Sequence, residues 1–139
     1  MPEISYFSKV PSFKIPNPRK TTSWLKKICA SEKRPLHSLT YVFVRDVTLL
    51  EMNKEYLNHN TLTDILSFDL SENQKISGEI YISVERVREN AKTFQQPFES
   101  ELRRVIAHGL LHFIGYKDKT RQEKAQMRSK EEAYLSLWK

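Results

Sequence analysis

The chain has 139 residues, 39% of them hydrophobic, and this size suits one compact domain over residues 1–139. Its single cysteine, Cys29, excludes an internal disulfide framework and a thiolate metal site. No apolar run reaches the roughly 18 residues of a membrane span, so we expect a cytoplasmic protein without a membrane partner. The formal net charge of +6 predicts either a polyanionic partner or an ordinary solvated basic surface, and eight basic residues against one acid, Glu32, fall between Lys9 and Arg34.

Four elements are predicted in the first half of the chain. A β-rich run at 4–8 predicts a strand, and the three prolines that follow predict an extended loop. A hydroxyl side chain within 21–23 then caps a helix that continues to about residue 33. The β-formers at 39–44 predict a second strand, and Asp46 is a suitable N-cap for a second helix, with Leu49, Met52, Tyr56 and Leu57 on one side.

The next predicted feature is a β-hairpin. Segments 64–70 and 77–83 are both rich in β-formers, and the polar stretch SENQKI joins them. A third helix over 84–96 follows, and Pro97 stops it.

Two more helices complete the chain. The fourth begins at Phe98, carries a buried apolar stripe, and ends at Gly115, a residue typical of a helix C-cap. Thr120 and Glu123 form a capping box that starts the last helix. The whole pattern predicts an α+β fold, a single domain with a small mixed four-stranded β-sheet and about five α-helices on at least one face.

The fourth helix carries two of the four histidines, His108 and His112, one turn apart, and Asp118 follows in the turn before the last helix. Side chains four residues apart stand about 6 Å from one another, so both imidazoles can reach one ion at about 2.0–2.1 Å. If the turn folds back, Asp118 supplies a third ligand and one position stays open, as in catalytic zinc sites. The alternative is a hydrogen-bonded surface pair of histidines, which the same spacing produces by chance. We predict a metal cleft at the end of the fourth helix, with His108, His112 and Asp118 holding one zinc or other transition-metal ion.

Gly109 lies between these ligands. Glycine inside a helix costs about 1 kcal/mol relative to alanine, so we expect a close approach of backbone or ligand at this position. In the His-Glu-x-x-His metalloproteases the same position carries the glutamate that acts as general base. Peptide hydrolysis by that mechanism is therefore excluded.

The sequence around these residues resembles a known family. The stretch HGLLHFIGYKD at 108–118 resembles the signature of the YbeY family of bacterial rRNA maturation factors, in which three histidines at this spacing hold zinc. The order of motifs agrees from 39 to 135, and it includes LNHNTLTDILSFDL, GEIYIS and MRSKEEAYL. The resemblance implies a metal-dependent, single-strand-specific endoribonuclease that acts on rRNA precursors and the ribosome, in rRNA maturation and ribosome quality control. It implies a zinc ion and no small-molecule cofactor.

The sequence departs from the family pattern at two positions. The third histidine falls on Asp118, a competent zinc ligand at about 2.0–2.2 Å that alters the charge and metal preference of the site. An arginine that follows a tyrosine falls on Leu57, which removes a candidate for phosphate binding. His59, Lys117 or Lys119 could contact RNA instead, or each could be an ordinary surface residue.

Three other functions stay open. The site could belong to another zinc metallohydrolase, or to an iron enzyme of the two-histidine-one-carboxylate type. The protein could also be a ribosome-associated RNA-binding protein whose metal is structural.

Glu101, one heptad before His108, is expected to pair with a lysine or arginine, and we assign it no role.

Overall fold

The computed structural model describes residues 3–57 and 64–138, except the side chains of Tyr56 and Leu57. The elements alternate between strand and helix in the first part and end in three consecutive helices: β1 Glu3–Ser8, α1 Pro18–Ser31, β2 Leu36–Val44, α2 Asp46–Leu57, β3 Ile65–Asp69, β4 Ile76–Ser83, α3 Val84–Thr93, α4 Phe98–Ile114 and α5 Arg121–Leu135. The predicted α+β class is confirmed, with a mixed four-stranded sheet and five helices in the described ranges.

The sheet has the strand order β1-β2-β4-β3. β1 and β4 both run parallel to β2, and β3 runs antiparallel to β4. The predicted hairpin is confirmed, with Ile65 opposite Ile82 and Asp69 opposite Gly78. This arrangement places β4 in the interior of the sheet, where α4 packs against it.

Both faces of the sheet are covered. In β2, Tyr41 and Phe43 point into the larger core, which also contains buried side chains of α1, β4, α4 and α5. The alternate residues Val42 and Val44 point to the other face, where they pack with Leu49 of α2 and Leu66 of β3. The alternation follows from the period of two in a strand. The sequence predicted helices on at least one face, and the structure has them on two.

Two predicted helix boundaries were wrong. α1 begins at Pro18, several residues before the hydroxyl side chains at 21–23, because proline has a helical φ already and needs no amide donor in the first turn. Asn17 is its N-cap, and the Thr21 hydroxyl donates to the Asn17 carbonyl instead of capping. α3 ends at Thr93 rather than at residue 96, because Gln95 has a φ of 55°, which a right-handed helix cannot continue through.

The other boundaries differ less. β2 begins at Leu36, three residues before the predicted strand. α2 buries Leu49 as predicted, but it also buries Asn53, while Met52 is only partly buried. Within the described residues, no helix combines the length and apolar character needed to cross a membrane.

The ends of α4 and α5 are those that the sequence predicts. Gly115 caps α4 with a φ of 125°, a left-handed conformation that glycine adopts without steric cost. Thr120 and Glu123 form the capping box of α5, with each side chain bonded to the backbone of the other residue. The turn between the two helices is therefore short and fixed at both ends.

Gly109 is needed for close packing rather than for a ligand. A Cβ atom at this position would lie 2.9 Å from Cδ1 of Ile80 and 3.0 Å from Cδ1 of Ile65. The expectation of a close backbone or ligand approach is therefore corrected: side chains of the sheet approach the helix here. The absence of a Cβ lets α4 lie close to β3 and β4.

Candidate metal centre

Three predicted ligands meet at the junction of α4 and α5. His108 and His112 project from the last two turns of α4, and the turn after Gly115 brings Asp118 back beside them. The capping box at Thr120 fixes the distance between Asp118 and the start of α5. The short connection predicted from the sequence is what allows this return.

The candidate ligand atoms converge closely. The Nε2 atoms of His108 and His112 are 3.0 Å apart, and Oδ2 of Asp118 lies 3.2 Å from the first and 3.4 Å from the second. The side-chain exposure rises from 14% for His108 through 29% for His112 to 38% for Asp118. The triad is thus anchored in the protein on one side and open to solvent on the other.

This donor set fits a transition-metal ion. In a tetrahedral zinc site with bonds of about 2.0–2.1 Å, ligand atoms stand about 3.3–3.4 Å apart, close to the three separations here. Two imidazole nitrogens and one carboxylate oxygen are also ligands that zinc and iron accept. Three protein ligands leave a position for water or substrate on the exposed side.

The structure reveals a contact that the sequence analysis missed. Oε2 of Glu131, on α5, lies 2.5 Å from Nδ1 of His108. Glu131 is only 3% exposed, and its neighbours on the same face of α5, Met127 and Tyr134, are buried as well. An acid in the apolar stripe of a helix was the sequence signal that could have revealed it.

Glu131 also contacts the ion pair of Arg104 and Glu101, of which Glu101 is buried and Arg104 partly buried. Arg104 donates from Nη1 to Oε1 of Glu131 at 3.1 Å, and from Nε and Nη2 to the two carboxylate oxygens of Glu101 at 2.9 and 2.6 Å. The predicted pairing of Glu101 with a basic residue is confirmed. Glu101 is 3% exposed, so this pairing lies in the interior.

The protonation of the site follows from these contacts. Burial, together with the nearby His108, lowers the pKa of His112 against the opposing effect of Asp118, which favours the neutral imidazole that binds metals. Burial acts to raise the pKa of Glu131, but the hydrogen bond with His108 and the charge of Arg104 hold it below its ordinary value. Glu131 is therefore an ionised carboxylate at neutral pH.

Asp64, which precedes β3, contacts Arg104 of this network from the side of the sheet. Its Oδ2 lies 3.8 Å from Nη2 of Arg104 and accepts a hydrogen bond from Nδ2 of Asn90 at 3.4 Å. Burial raises the pKa of Asp64, and the positive charge of Arg104 opposes that shift. The motif that contains Asp64 thus lies next to the candidate metal centre.

The predicted RNA-contacting residues have different outcomes. Lys117 and Lys119 are exposed on either side of Asp118 in the turn. His59 lies outside the described residues, and so does the side chain of Leu57, so their predicted roles stay predictions. The assignment of His108, His112 and Asp118 as metal ligands also stays a prediction, although the structure places all three together.

Comparisons with known proteins give the family. Residues 9–139 match the family described as Endoribonuclease YbeY. Proteins named Endoribonuclease YbeY are similar to this chain, among them one from Flavobacterium psychrophilum, 48% identical over 91% of this chain and 90% of its own length. Another, from Flavobacterium johnsoniae, is 46% identical over 95% of each chain.

A solved structure has the same fold. The solution structure of a protein from Thermotoga maritima superposes with a TM-score of 0.70 at 27% identity, covering 96% of this chain and 87% of that one. The family match covers α1 to α5, β2 to β4 and the turn that carries Asp118. The predicted resemblance is therefore confirmed, and the chain belongs to the YbeY family of endoribonucleases.

Proposed function

We propose that this protein is a metal-dependent endoribonuclease specific for single-stranded RNA, which acts in rRNA maturation and ribosome quality control. Its family makes it a hydrolase of RNA. Metal dependence, strand specificity and the ribosomal substrate are the parts that we propose. We take residues 1–139 as one catalytic domain, and the cytoplasm, where rRNA precursors are processed, as its location.

The observation that carries the proposal is the convergence of His108, His112 and Asp118 within hydrogen-bonding distance of one another. We take these residues as ligands of one zinc ion per chain. When bound, the ion would polarise a phosphoryl oxygen of the RNA or acidify the attacking water. Because the ligand oxygen of Asp118 is anionic, a metal other than zinc is compatible with the same residues.

The side chains of the protein would bind and position the RNA. The histidine rings lie on the more buried side of the site, and we place the RNA strand on the exposed side, next to Asp118. Lys117 and Lys119 flank Asp118 and are suited to hold phosphates of the RNA backbone. We assign no residue as general acid or base.

Metal analysis and RNA cleavage test the proposal together. We expect about one equivalent of zinc by elemental analysis of the purified protein, and cleavage of a single-stranded RNA but not of the matching duplex. His108→Ala should lose both the metal and the cleavage. His37→Ala, which changes an exposed histidine on β2, is the matched control and should keep both.

The other functions are distinguishable outcomes of the same experiment. Metal content and RNA binding without cleavage would indicate a binding protein with a structural metal. Activity that needs ferrous iron and 2-oxoglutarate in air would indicate an iron oxygenase. A protein that binds no transition metal and still cleaves RNA would overturn the assignment of the ligands.

A further inference from the structure

A continuous line of polar contacts runs from the interior of the protein to the candidate metal centre. Glu101 holds Arg104 through both carboxylate oxygens, Arg104 donates to Glu131, and Glu131 contacts Nδ1 of His108. Glu101, Arg104 and His108 lie on one face of α4, and Glu131 reaches them from α5. The line ends on the ring nitrogen opposite the one that faces His112 and Asp118.

Stability alone is a weak reason for such an arrangement. Two carboxylates at 3% exposure and one partly buried guanidinium must give up most of their hydration, and buried ion pairs seldom stabilise a fold more than well-packed apolar residues do. The larger core nearby is built from aliphatic and aromatic side chains that could fill the same space. The polar network is better explained by what it does to His108.

The contact with Glu131 determines which nitrogen of His108 carries the proton. An ionised carboxylate can only accept a hydrogen bond, so Nδ1 of His108 must donate. In the neutral ring, Nε2 then has a free lone pair, and this is the atom 3.2 Å from Asp118 and 3.0 Å from His112. Carboxylates in this position orient metal-binding histidines and make them better ligands.

Arg104 and Glu101 determine where the Glu131 carboxylate lies. The planar guanidinium donates from Nε and Nη2 to Glu101, which fixes its plane, and Nη1 in that plane donates to Oε1 of Glu131. This leaves Oε2 for His108. A flexible lysine ammonium at position 104 would supply the charge but not the fixed direction.

We propose that Glu131 is a positioning residue of the metal centre, which holds His108 in the tautomer with a proton on Nδ1 and is itself oriented by the pair of Arg104 and Glu101. The inference rests on the proposed function, since it takes His108 as a metal ligand. It adds to the site three residues, Glu101, Arg104 and Glu131, that act on the predicted ligand His108 through hydrogen bonds.

Glu131→Gln is the sharpest test because it keeps the size of the side chain. In Glu131 one carboxylate oxygen contacts Arg104 and the other contacts His108, whereas glutamine has an amide NH2 in place of one of these two oxygens. We expect the charged Arg104 to take the oxygen, so the amide NH2 faces His108 and the ring proton moves to Nε2. The adjacent Glu132 is exposed, and Glu132→Gln is the matched control.

Two measurements report on the tautomer and on the metal. Nitrogen-15 chemical shifts of the metal-free protein, followed to a pH at which the His108 ring is neutral, should show the proton on Nδ1 of His108 in the wild type and in Glu132→Gln, and on Nε2 in Glu131→Gln. Competition with a chromophoric chelator should show zinc binding about 10- to 100-fold weaker in Glu131→Gln, the usual effect of losing such a partner. Arg104→Lys should weaken zinc binding in the same direction and by less.

The outcomes separate this inference from the proposed function. If the wild type binds no zinc, the proposed function fails, and the tautomer of the metal-free protein still tests the role of Glu131. If the wild type binds zinc while Glu131→Gln and Arg104→Lys keep its affinity and its tautomer, the positioning role is overturned. If Glu131→Gln fails to fold, the comparison of Arg104→Lys with the wild type decides in the same way.

Discussion

Among single side chains, Asp118 is the one that brings a carboxylate into the candidate metal centre, beside His108 and His112. It occupies the position where the family pattern has a third histidine, and its Oδ2 lies within 3.4 Å of both histidine Nε2 atoms. A carboxylate lowers the net charge of the centre by one unit relative to a neutral imidazole. The centre should therefore be a weaker Lewis acid than one with three histidines.

Substitutions at Asp118 should separate a ligand from a turn residue. Asp118→His should keep the metal and shift the pH profile of RNA cleavage to lower pH, because a more positive centre acidifies water more strongly. Asp118→Ala should bind zinc much more weakly, as chelator competition would show. Asp69→Ala, at an exposed aspartate of β3, is the control. Wild-type metal content and cleavage in both Asp118 variants would leave Asp118 as a turn residue only.

Glu32 is the second side chain with an unusual environment. It follows α1 and accepts hydrogen bonds from the hydroxyls of Tyr116 and Tyr134 and from Lys130, so it ties α1 to α5 and to the turn after α4. Burial acts to raise its pKa, but these three donors hold the pKa below the ordinary 4.5. The ionised form of Glu32 is therefore the one that stabilises the fold.

Glu32→Gln should change stability in a pH-dependent way. At pH 7 we expect a loss of about 1–3 kcal/mol in the free energy of unfolding, the typical value of hydrogen bonds to a charged group. Because the folded-state pKa is lowered, the charge of Glu32 contributes fully above the ordinary 4.5 and its contribution disappears as the pH falls through the lower folded value. Urea unfolding of wild type and variant between pH 7 and pH 3 measures this difference.

The difference between the two proteins should shrink toward pH 3. Glu132→Gln, at an exposed position of α5, should leave stability nearly unchanged and controls for the substitution itself. A difference between wild type and Glu32→Gln that stays constant over the whole range would contradict the role of the charge.

Among the secondary-structure elements, α4 and the sheet make the contact on which the site depends. Gly109 lets α4 lie close to Ile65 and Ile80, and Gly78 of β4 lies under Phe113 of the same helix. A Cβ at Gly78 would be 2.5 Å from the backbone oxygen of Phe68 and 2.6 Å from Cε2 of Phe113. The two glycines thus set the separation of helix and sheet at two points along α4.

Alanine should be tolerated better at position 109 than at position 78. Gly109→Ala gains about 1 kcal/mol of helix propensity, and the atoms that it meets belong to isoleucine side chains. Gly78→Ala meets a backbone oxygen that cannot move without shifting β3, so we expect a loss of about 1–3 kcal/mol or more. Urea unfolding of the two variants measures the order, and a larger loss for Gly109→Ala would contradict this account of the packing.

For the whole molecule, the positive charge bears on RNA binding. The net charge is +6, and exposed lysines occur at many points of the described surface, among them Lys117 and Lys119 in the turn and Lys26 and Lys27 in α1. Of these two pairs, Lys117 and Lys119 flank Asp118 of the candidate metal centre, whereas Lys26 and Lys27 lie on α1. Lysines that contact phosphates release counterions, so their number appears in the salt dependence of binding.

Replacing Lys117 and Lys119 together by glutamine should therefore reduce the salt dependence of RNA binding. If both contact phosphates of single-stranded RNA, the slope of log affinity against log salt should flatten by about 1.4. Lys26→Gln with Lys27→Gln removes the same charge from α1 and should leave the slope unchanged. The reverse result would place the RNA on the basic stretch between Lys9 and Arg34.

Local patterns in the chain were enough to predict the order of the elements, the β3–β4 hairpin, the limits of α4 and the capping box of α5. They also predicted that His108, His112 and Asp118 would meet, because a helical turn and a short connection bring them together without help from the rest of the fold. The start of α1 was predicted wrongly. Both Pro18 and the hydroxyl side chains at 21–23 are typical of a helix N-terminus, and the prediction followed the hydroxyl side chains, whereas the helix begins at Pro18.

The surroundings of the triad depended on packing between distant segments. Glu131 is 23 residues from His108 and contacts it only because α5 packs on α4, and Asp64 approaches Arg104 only because β3 pairs with β4. The closeness of Gly109 to Ile65 and Ile80 likewise arises from the docking of α4 on the sheet. Such contacts have no period in the sequence, since they are set by how whole helices and strands fill the core, and the supporting residues of the site could be identified only once those elements were in place.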